Sequence, residues 1–206
     1  MNQASEGQLY GLFSELLGYP GPGLADAAGR AAALAGPLSA EAVAYLRQFQ
    51  GFAQQTPLAR IEETYTGVFE LDAVCHPYVG YHLFGESYKR SAFILGLKDR
   101  YRPYGLSYGV ELPDHLAVIL GYLAVNLDPC EAGVLIAEAL QPALGRMLAS
   151  KDEDEPPDPA MPKPPPKGGP YRDVLEALAL VLQVTAPPQT APAALEFFSL
   201  APIATR

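Results

Sequence analysis

The stretch "GVELPDHLAVILGYLAVNL", Gly109–Leu127, constrains this chain more than any other. Behind a proline, two acids and a histidine it is almost wholly apolar. At a helical period of 3.6, Leu112, Leu116, Ile119, Leu120, Leu123 and Leu127 form one face, and Val118, Gly121, Tyr122 and Val125 form much of the other. A helix apolar on both faces needs neighbours all round, so it belongs at the centre of a bundle. It falls short of the ~18–20 apolar residues that span a bilayer, and Tyr122 interrupts Leu116–Val125.

The polar residues at its mouth have a local explanation. Pro113 suits the first helical position, where a missing N–H costs nothing. Asp114 and Glu111 then lie beside the positive end of the helix dipole, each worth ~0.3–1 kcal/mol. That first turn is expected to be the one place where polar groups of this helix meet solvent, and therefore a well-supported place for a site. On this reading Leu120→Ala costs ~2–5 kcal/mol and Asp114→Asn far less.

The rest of the chain repeats the helical period. Leu9, Leu12, Phe13, Leu16 and Leu17 fall on one face, and "GYPGPG" stops that helix. An alanine-rich helix fits Leu24–Ala35. Ser39 caps a third, reaching about Gln55 and burying Val43, Leu46 and Phe49. Pro57 starts a fourth at its first turn, with Ile61, Tyr65, Val68 and Phe69. "ELDAVCHPYVGYHLFGES" reads as a loop with a short helical turn. Glu86–Tyr101 is helical with Phe93, Ile94 and Leu97 on one side. Asp128 caps a helix with Pro129 at its first position, running to about Ala149. "KDEDEPPDPAMPKPPPKGGP" has almost nothing to bury and reads as a mobile loop over residues 152–169. Tyr171–Val184 and a short Ala193–Leu200 follow. Hydrophobic residues make up 49% of 206, enough for one core. The expectation is all-α: a single domain over 1–206, a bundle of eight to ten helices, with 170–206 as its C-terminal helical segment.

Several function classes drop out. The net charge of −9 argues against a nucleic-acid partner, which requires a basic face, and suits a basic partner or solubility alone. The first twenty residues lack a basic start and a small-residue cleavage site, so the chain is expected to be soluble and cytoplasmic. Cys75 and Cys130 make no CxxC and read as free thiols in or near the core. Cys75, His76, His82, His115, Glu111 and Asp114 do not have metal-ligand spacing, because Cys75 and His76 adjoin across a proline turn. No GxSxG or P-loop is present, and "GPGLADAAG" lacks a preceding strand. No cofactor is expected.

"ELPDHL" before an apolar helix resembles the signature of the NarJ/TorD/DmsD family, chaperones that assemble molybdenum-cofactor oxidoreductases. "LFSELLGYPGPGL" resembles the family's opening helix and Leu-Leu-x-Tyr-Pro turn, through Leu16, Leu17, Tyr19, Pro20 and Leu24. "YTGVFEL" resembles the segment carrying Tyr65 and Phe69. His82, Gly85, Glu86, Ser87 and Arg90 are similar to the His-x-x-x-Gly-(Glu/Asp)-Ser-x-x-Arg stretch of the NarJ, or nitrate reductase delta-subunit, branch. "KDRYRPYGL" follows its Tyr-x-x-x-Gly-Leu. The resemblance covers about residues 9–149. His115 is TorD-like, whereas the proline position is NarJ-like, so the branch stays open.

The resemblance implies an all-α fold and no catalysis. It implies binding to the N-terminal segment of a molybdopterin oxidoreductase catalytic subunit, often an arginine-bearing leader or its remnant, held until the cofactor is inserted. A nitrate reductase is the leading client. No stable membrane insertion is expected, and the chain should be a monomer or weak dimer. The candidate client-binding residues are Glu111, Asp114, His115, Tyr65, Phe69, His82 and Tyr78. Two further readings stay open. The loop "DAVCHPYVGYHLFGES" either packs over the core or forms a peptide-docking lip. The basic run Arg90, Lys98, Arg100 and Arg102 either pairs with nearby acids or meets an acidic client surface. The alternative function is a small-molecule enzyme with a helical active site near His82, Glu111 and His115.

Overall fold

A computed structural model describes residues 2–71, 75–126, 128–149 and 168–186. The central apolar helix, α7 in chain order, runs Leu116–Val125 and buries Leu116, Ala117, Ile119, Leu120, Tyr122 and Leu123. Before it come α1 (Gln3–Leu17), α2 (Leu24–Ala35), α3 (Ala40–Gln55), α4 (Leu58–Thr66), α5 (Val79–Phe84) and α6 (Tyr88–Tyr101). After it come α8 (Pro129–Leu135), α9 (Gln141–Leu148) and α10 (Tyr171–Thr185). π-helical turns at Gly67–Leu71 and Ile136–Leu140 extend α4 and join α8 to α9. Among the described residues there is no strand, only one isolated antiparallel bridge between Tyr78 and His115. No described helix is long and apolar enough to cross a membrane.

α1 lies directly on α7, and the approach depends on glycine. A Cβ on Gly7 would stand 2.9 Å from the Ala124 carbonyl oxygen, closer than a side-chain carbon sits without displacing the backbone. Ser14 Oγ donates to the Ala117 carbonyl at 2.7 Å and ties the same pair. α2 and α3 pack together, α10 packs on α3 and α9, and α5 packs on α6 and α9. Val174, Leu175, Leu178, Val181 and Leu182 of α10 face inward. An aromatic cluster of Phe49, Tyr65, Phe69 and Tyr171 joins α3, α4 and α10, with ring centroids 4.9–5.5 Å apart.

Local signals set several ends where the residues indicate. Ser39 Oγ accepts from the Ala42 N–H, and Asp128 Oδ1 accepts from the Cys130 and Glu131 N–H groups, with Pro129 at the first helical position. Five expectations are corrected. Pro57 is the cap of α4, not its first residue. α7 begins at Leu116, three residues beyond Pro113. Leu112 precedes that start and is exposed. Val43 and Ile94 are half-buried, because Ala42, Phe93 and Leu97 face the core instead. Cys130, on the first turn of α8, is exposed, whereas Cys75 is buried. Leu127, residues 152–167 of the expected loop and the Ala193–Leu200 helix lie outside the described residues, whereas Gly168 and Gly169, at its expected end, form the turn into α10 and accept from the Arg172 N–H.

Candidate functional site

The turn before α7 is held from three sides. His115 has extended backbone, φ −65° and ψ 132°, so the helix cannot begin before it. Its ring Nδ1 accepts the Ala117 N–H at 3.1 Å, which makes a histidine the N-cap of α7 and leaves the neutral ring's proton on Nε2. Pro77–Val79 is stitched alongside. The Leu116 N–H donates to the Pro77 carbonyl at 2.7 Å, and the Val79 N–H donates to the Asp114 carbonyl at 2.8 Å. From α6, Tyr101 Oη donates to the Pro113 carbonyl at 2.8 Å.

This stitching decides where the polar side chains go. Asp114 is fully buried and accepts from Arg90 Nε at 2.8 Å. Asp114 and His115 therefore do not meet solvent at the helix mouth, contrary to the sequence reading. The tertiary contacts close over the turn, and Arg90 of α6 supplies the countercharge. The guanidinium lies over the rings of Tyr78 and Tyr81, 5.4 and 5.9 Å from their centroids. Glu111 is the acid that stays accessible, its side chain 40% exposed. It accepts from Tyr78 Oη at 3.2 Å, and its Oε2 is 4.0 Å from His115 Nε2. The Tyr78 and His115 rings meet edge to face at 5.5 Å.

Beside this cluster opens a cleft of about 230 Å³ between the end of α1, α4 and the first turns of α7. Tyr19, Tyr65, Leu106 and Val118 give it apolar surface, and Glu111 and His115 give it polar edges. Tyr65 is buried with its hydroxyl donating to the Leu17 carbonyl at 3.4 Å. Burial first, then the nearby Glu111 charge, pushes its phenol well above the usual range. The same two causes raise Tyr78. Burial lowers His115 below its ordinary value, against the raising pull of Glu111 and Asp114. The ring is therefore neutral near pH 7, the state its capping bond requires. The cleft offers one accessible carboxylate, aromatic faces and a neutral imidazole. Ser14 Oγ is committed to the Ala117 carbonyl. Such a surface binds a ligand with a cation and an apolar part.

The structure thus brings Tyr65, Tyr78, Glu111 and His115 together, with Asp114 beneath them. It does not bring in two others. Phe69 is buried against Tyr65 and Tyr171. His82 donates from Nε2 to the His76 carbonyl at 2.7 Å, and burial lowers its pKa. Residue-by-residue reasoning missed Tyr19, Leu106 and Ser14, which line the cleft. The signal for two of them was at hand, because Tyr19 and Leu106 end the "LLGY" and "YRPYGL" stretches that carry the family resemblance. The basic run splits. Arg90 and Arg100 are half-buried and pair with Asp114 and Glu131 on other elements, whereas Arg102 pairs with Asp99 at the surface. No group of three or more His, Cys, Asp or Glu among the described residues is placed to hold a metal ion.

A family model described as nitrate reductase delta subunit matches residues 36–148, more than half of the chain. Among solved structures, a protein from Archaeoglobus fulgidus described as a redox enzyme maturation protein is similar at 22% identity, covering 86% of this chain and 93% of that one with a TM-score of 0.47. No curated protein matches the sequence.

Proposed function

The chain belongs to the nitrate reductase delta subunit family, whose members are maturation chaperones rather than catalysts, and from that premise we propose what it holds and where. The ligand is the N-terminal segment of a molybdenum-cofactor oxidoreductase catalytic subunit, a nitrate reductase or a relative. The chaperone retains that segment until the cofactor is inserted. The binding place is the cleft between α1, α4 and α7.

The observation that carries this reading is the isolation of one accessible carboxylate beside an apolar cleft. Asp114 is neutralised by Arg90, so among the described residues lining the cleft Glu111 alone presents negative charge. A lysine or arginine of the client pairs with it at the rim, and neighbouring apolar side chains lie against Tyr19, Tyr65 and Val118. The overall charge of −9 favours encounter with a cationic segment.

Calorimetric titration of the client's N-terminal peptide into wild type and Glu111→Gln, at two salt concentrations, tests this. Glu111→Gln should keep its melting temperature within a few degrees. It should bind roughly two- to fivefold more weakly, the scale of one partly exposed ion pair, and show less salt dependence. Unchanged affinity in a folded Glu111→Gln protein removes the cleft from consideration.

A further inference from the structure

A second cleft, of about 290 Å³, lies at the other end of α7. It shares no lining residue with the first. Tyr10 of α1, Leu123 of α7 and Ile136 of the π-helical turn are among its walls, with Asn126, Thr185 and Ala186 along them. Val125 and Val184, next in sequence to lining residues, are exposed, so apolar surface continues past the rim.

Asn126 points to what the cleft takes. The residue is 6% exposed. Its Oδ1 accepts twice, from Tyr104 Oη at 3.1 Å and from the Asp128 N–H at 2.9 Å. The Asp128 N–H fixes the orientation of the amide, since a flip would set Nδ2 against that backbone donor. Nδ2 is left without a hydrogen-bond partner. Asn126 lines the cleft, and the apolar walls around it suit a peptide segment with apolar side chains.

We propose that the occupant is this chain's own 187–206 segment, and that the cleft is its docking site. Two observations select it. Ala186 lines the cleft, and Gln141 Nε2 donates to both the Leu182 and Ala186 carbonyls, at 3.1 and 2.9 Å. The chain therefore leaves α10 from a fixed point on the cleft wall. The residues beyond include "AALEFFSL", with Leu195, Phe197, Phe198 and Leu200, an apolar run of the kind an apolar cleft takes. From Ala186 to Leu195 the chain reaches up to ~30 Å, ample to fold back across the mouth. Tethering at the rim raises the effective concentration far above that of any free peptide.

The chain has no tryptophan, so Phe198→Trp in the full-length protein places a single reporter in the segment. Docking predicts blue-shifted emission and quenching by acrylamide several-fold slower than for a synthetic 187–206 peptide with the same substitution. Adding Ala132→Glu, in the cleft, should return the emission of a hydrated indole. Ala4→Glu, at an exposed lining position, should do so too and protects the test against misfolding, which circular dichroism monitors. Three results overturn the proposal: a hydrated indole in the starting protein, shielding that survives both cleft substitutions, or shielding lost on dilution, which assigns the cleft to a second copy's segment.

Discussion

Arg90 Nε and Asp114 Oδ2 meet at 2.8 Å, with the carboxylate fully buried and the arginine side chain 18% exposed. The pair spans α6 and the turn before α7, and its two members are not equally trapped. Arg90 reaches water when its partner is removed, and Asp114 does not. Arg90→Leu should therefore cost about 3–5 kcal/mol, the scale of an uncompensated buried charge. Asp114→Asn should cost about 1–3 kcal/mol, a charged hydrogen bond lost with its shape retained. Leu120→Ala, fully buried in mid-α7, should cost ~2–5 kcal/mol. Asp114→Asn thus belongs near the core substitutions and not far below them, as the helix-dipole reading held. Urea melts rank the three, and a loss for Asp114→Asn larger than for Arg90→Leu would refute the asymmetry.

Gly80 sits against this pair. A Cβ there would come within 2.7 Å of Asp114 Oδ2 and 3.1 Å of both Arg90 Cγ and Phe93 Cδ1. Gly80→Ala should destabilise by ~1–3 kcal/mol, and less than that in an Asp114→Ala background, because the tightest of the three contacts is removed. Gly145, exposed within α9 with nothing near its missing Cβ, should behave oppositely. Gly145→Ala should stabilise by ~0.5–1 kcal/mol through helix propensity. Thermal melts of the two single variants should move in opposite directions.

Stability should fall as pH drops below about 6.5, the ordinary histidine value. Burial lowers His115 and His82 in the folded chain, so the unfolded chain binds more protons through that window. Stability therefore rises with pH there, is complete above the unfolded value, and is lost as pH falls toward the folded ones. His115→Asn keeps a capping side chain for α7 without a titrating ring. Its free energy of unfolding should depend less on pH between 7.5 and 5.5 than that of wild type. A dependence as steep as wild type would show that His115 does not titrate on unfolding.

The two thiols should separate cleanly. Cys130 is exposed on the first turn of α8. Cys75 is buried, donates from Sγ to the Met147 carbonyl at 3.4 Å, and has its pKa raised by burial. An aromatic disulfide reagent should modify one cysteine promptly in native protein and the second only on unfolding. Mass spectrometry should place the first adduct on Cys130.

The sequence by itself determined the helices and their order, because the forces that set them act within a turn or two. Ser39 and Asp128 cap their own helices by reaching N–H groups two or three residues on. A helix apolar on both faces has nowhere to go but the centre. The family, too, was legible in short stretches such as "ELPDHL", which lies within the matched residues 36–148. What the tertiary structure decided was the fate of each polar group at the mouth of α7. Asp114 is buried because Arg90, twenty-four positions away, meets it there. α7 starts at Leu116 because backbone bonds to Pro77 and from Val79 flank His115, which is extended and caps the helix. Tyr19 and Leu106 line a cleft with Glu111 because α1 and the connection after α6 arrive on the same side of α7. A dipole term read from one helix is worth less than 1 kcal/mol, and a partner delivered by another helix outweighs it several-fold. That is why the acids could be located from the sequence, while only the packing separated the exposed Glu111 from the buried Asp114.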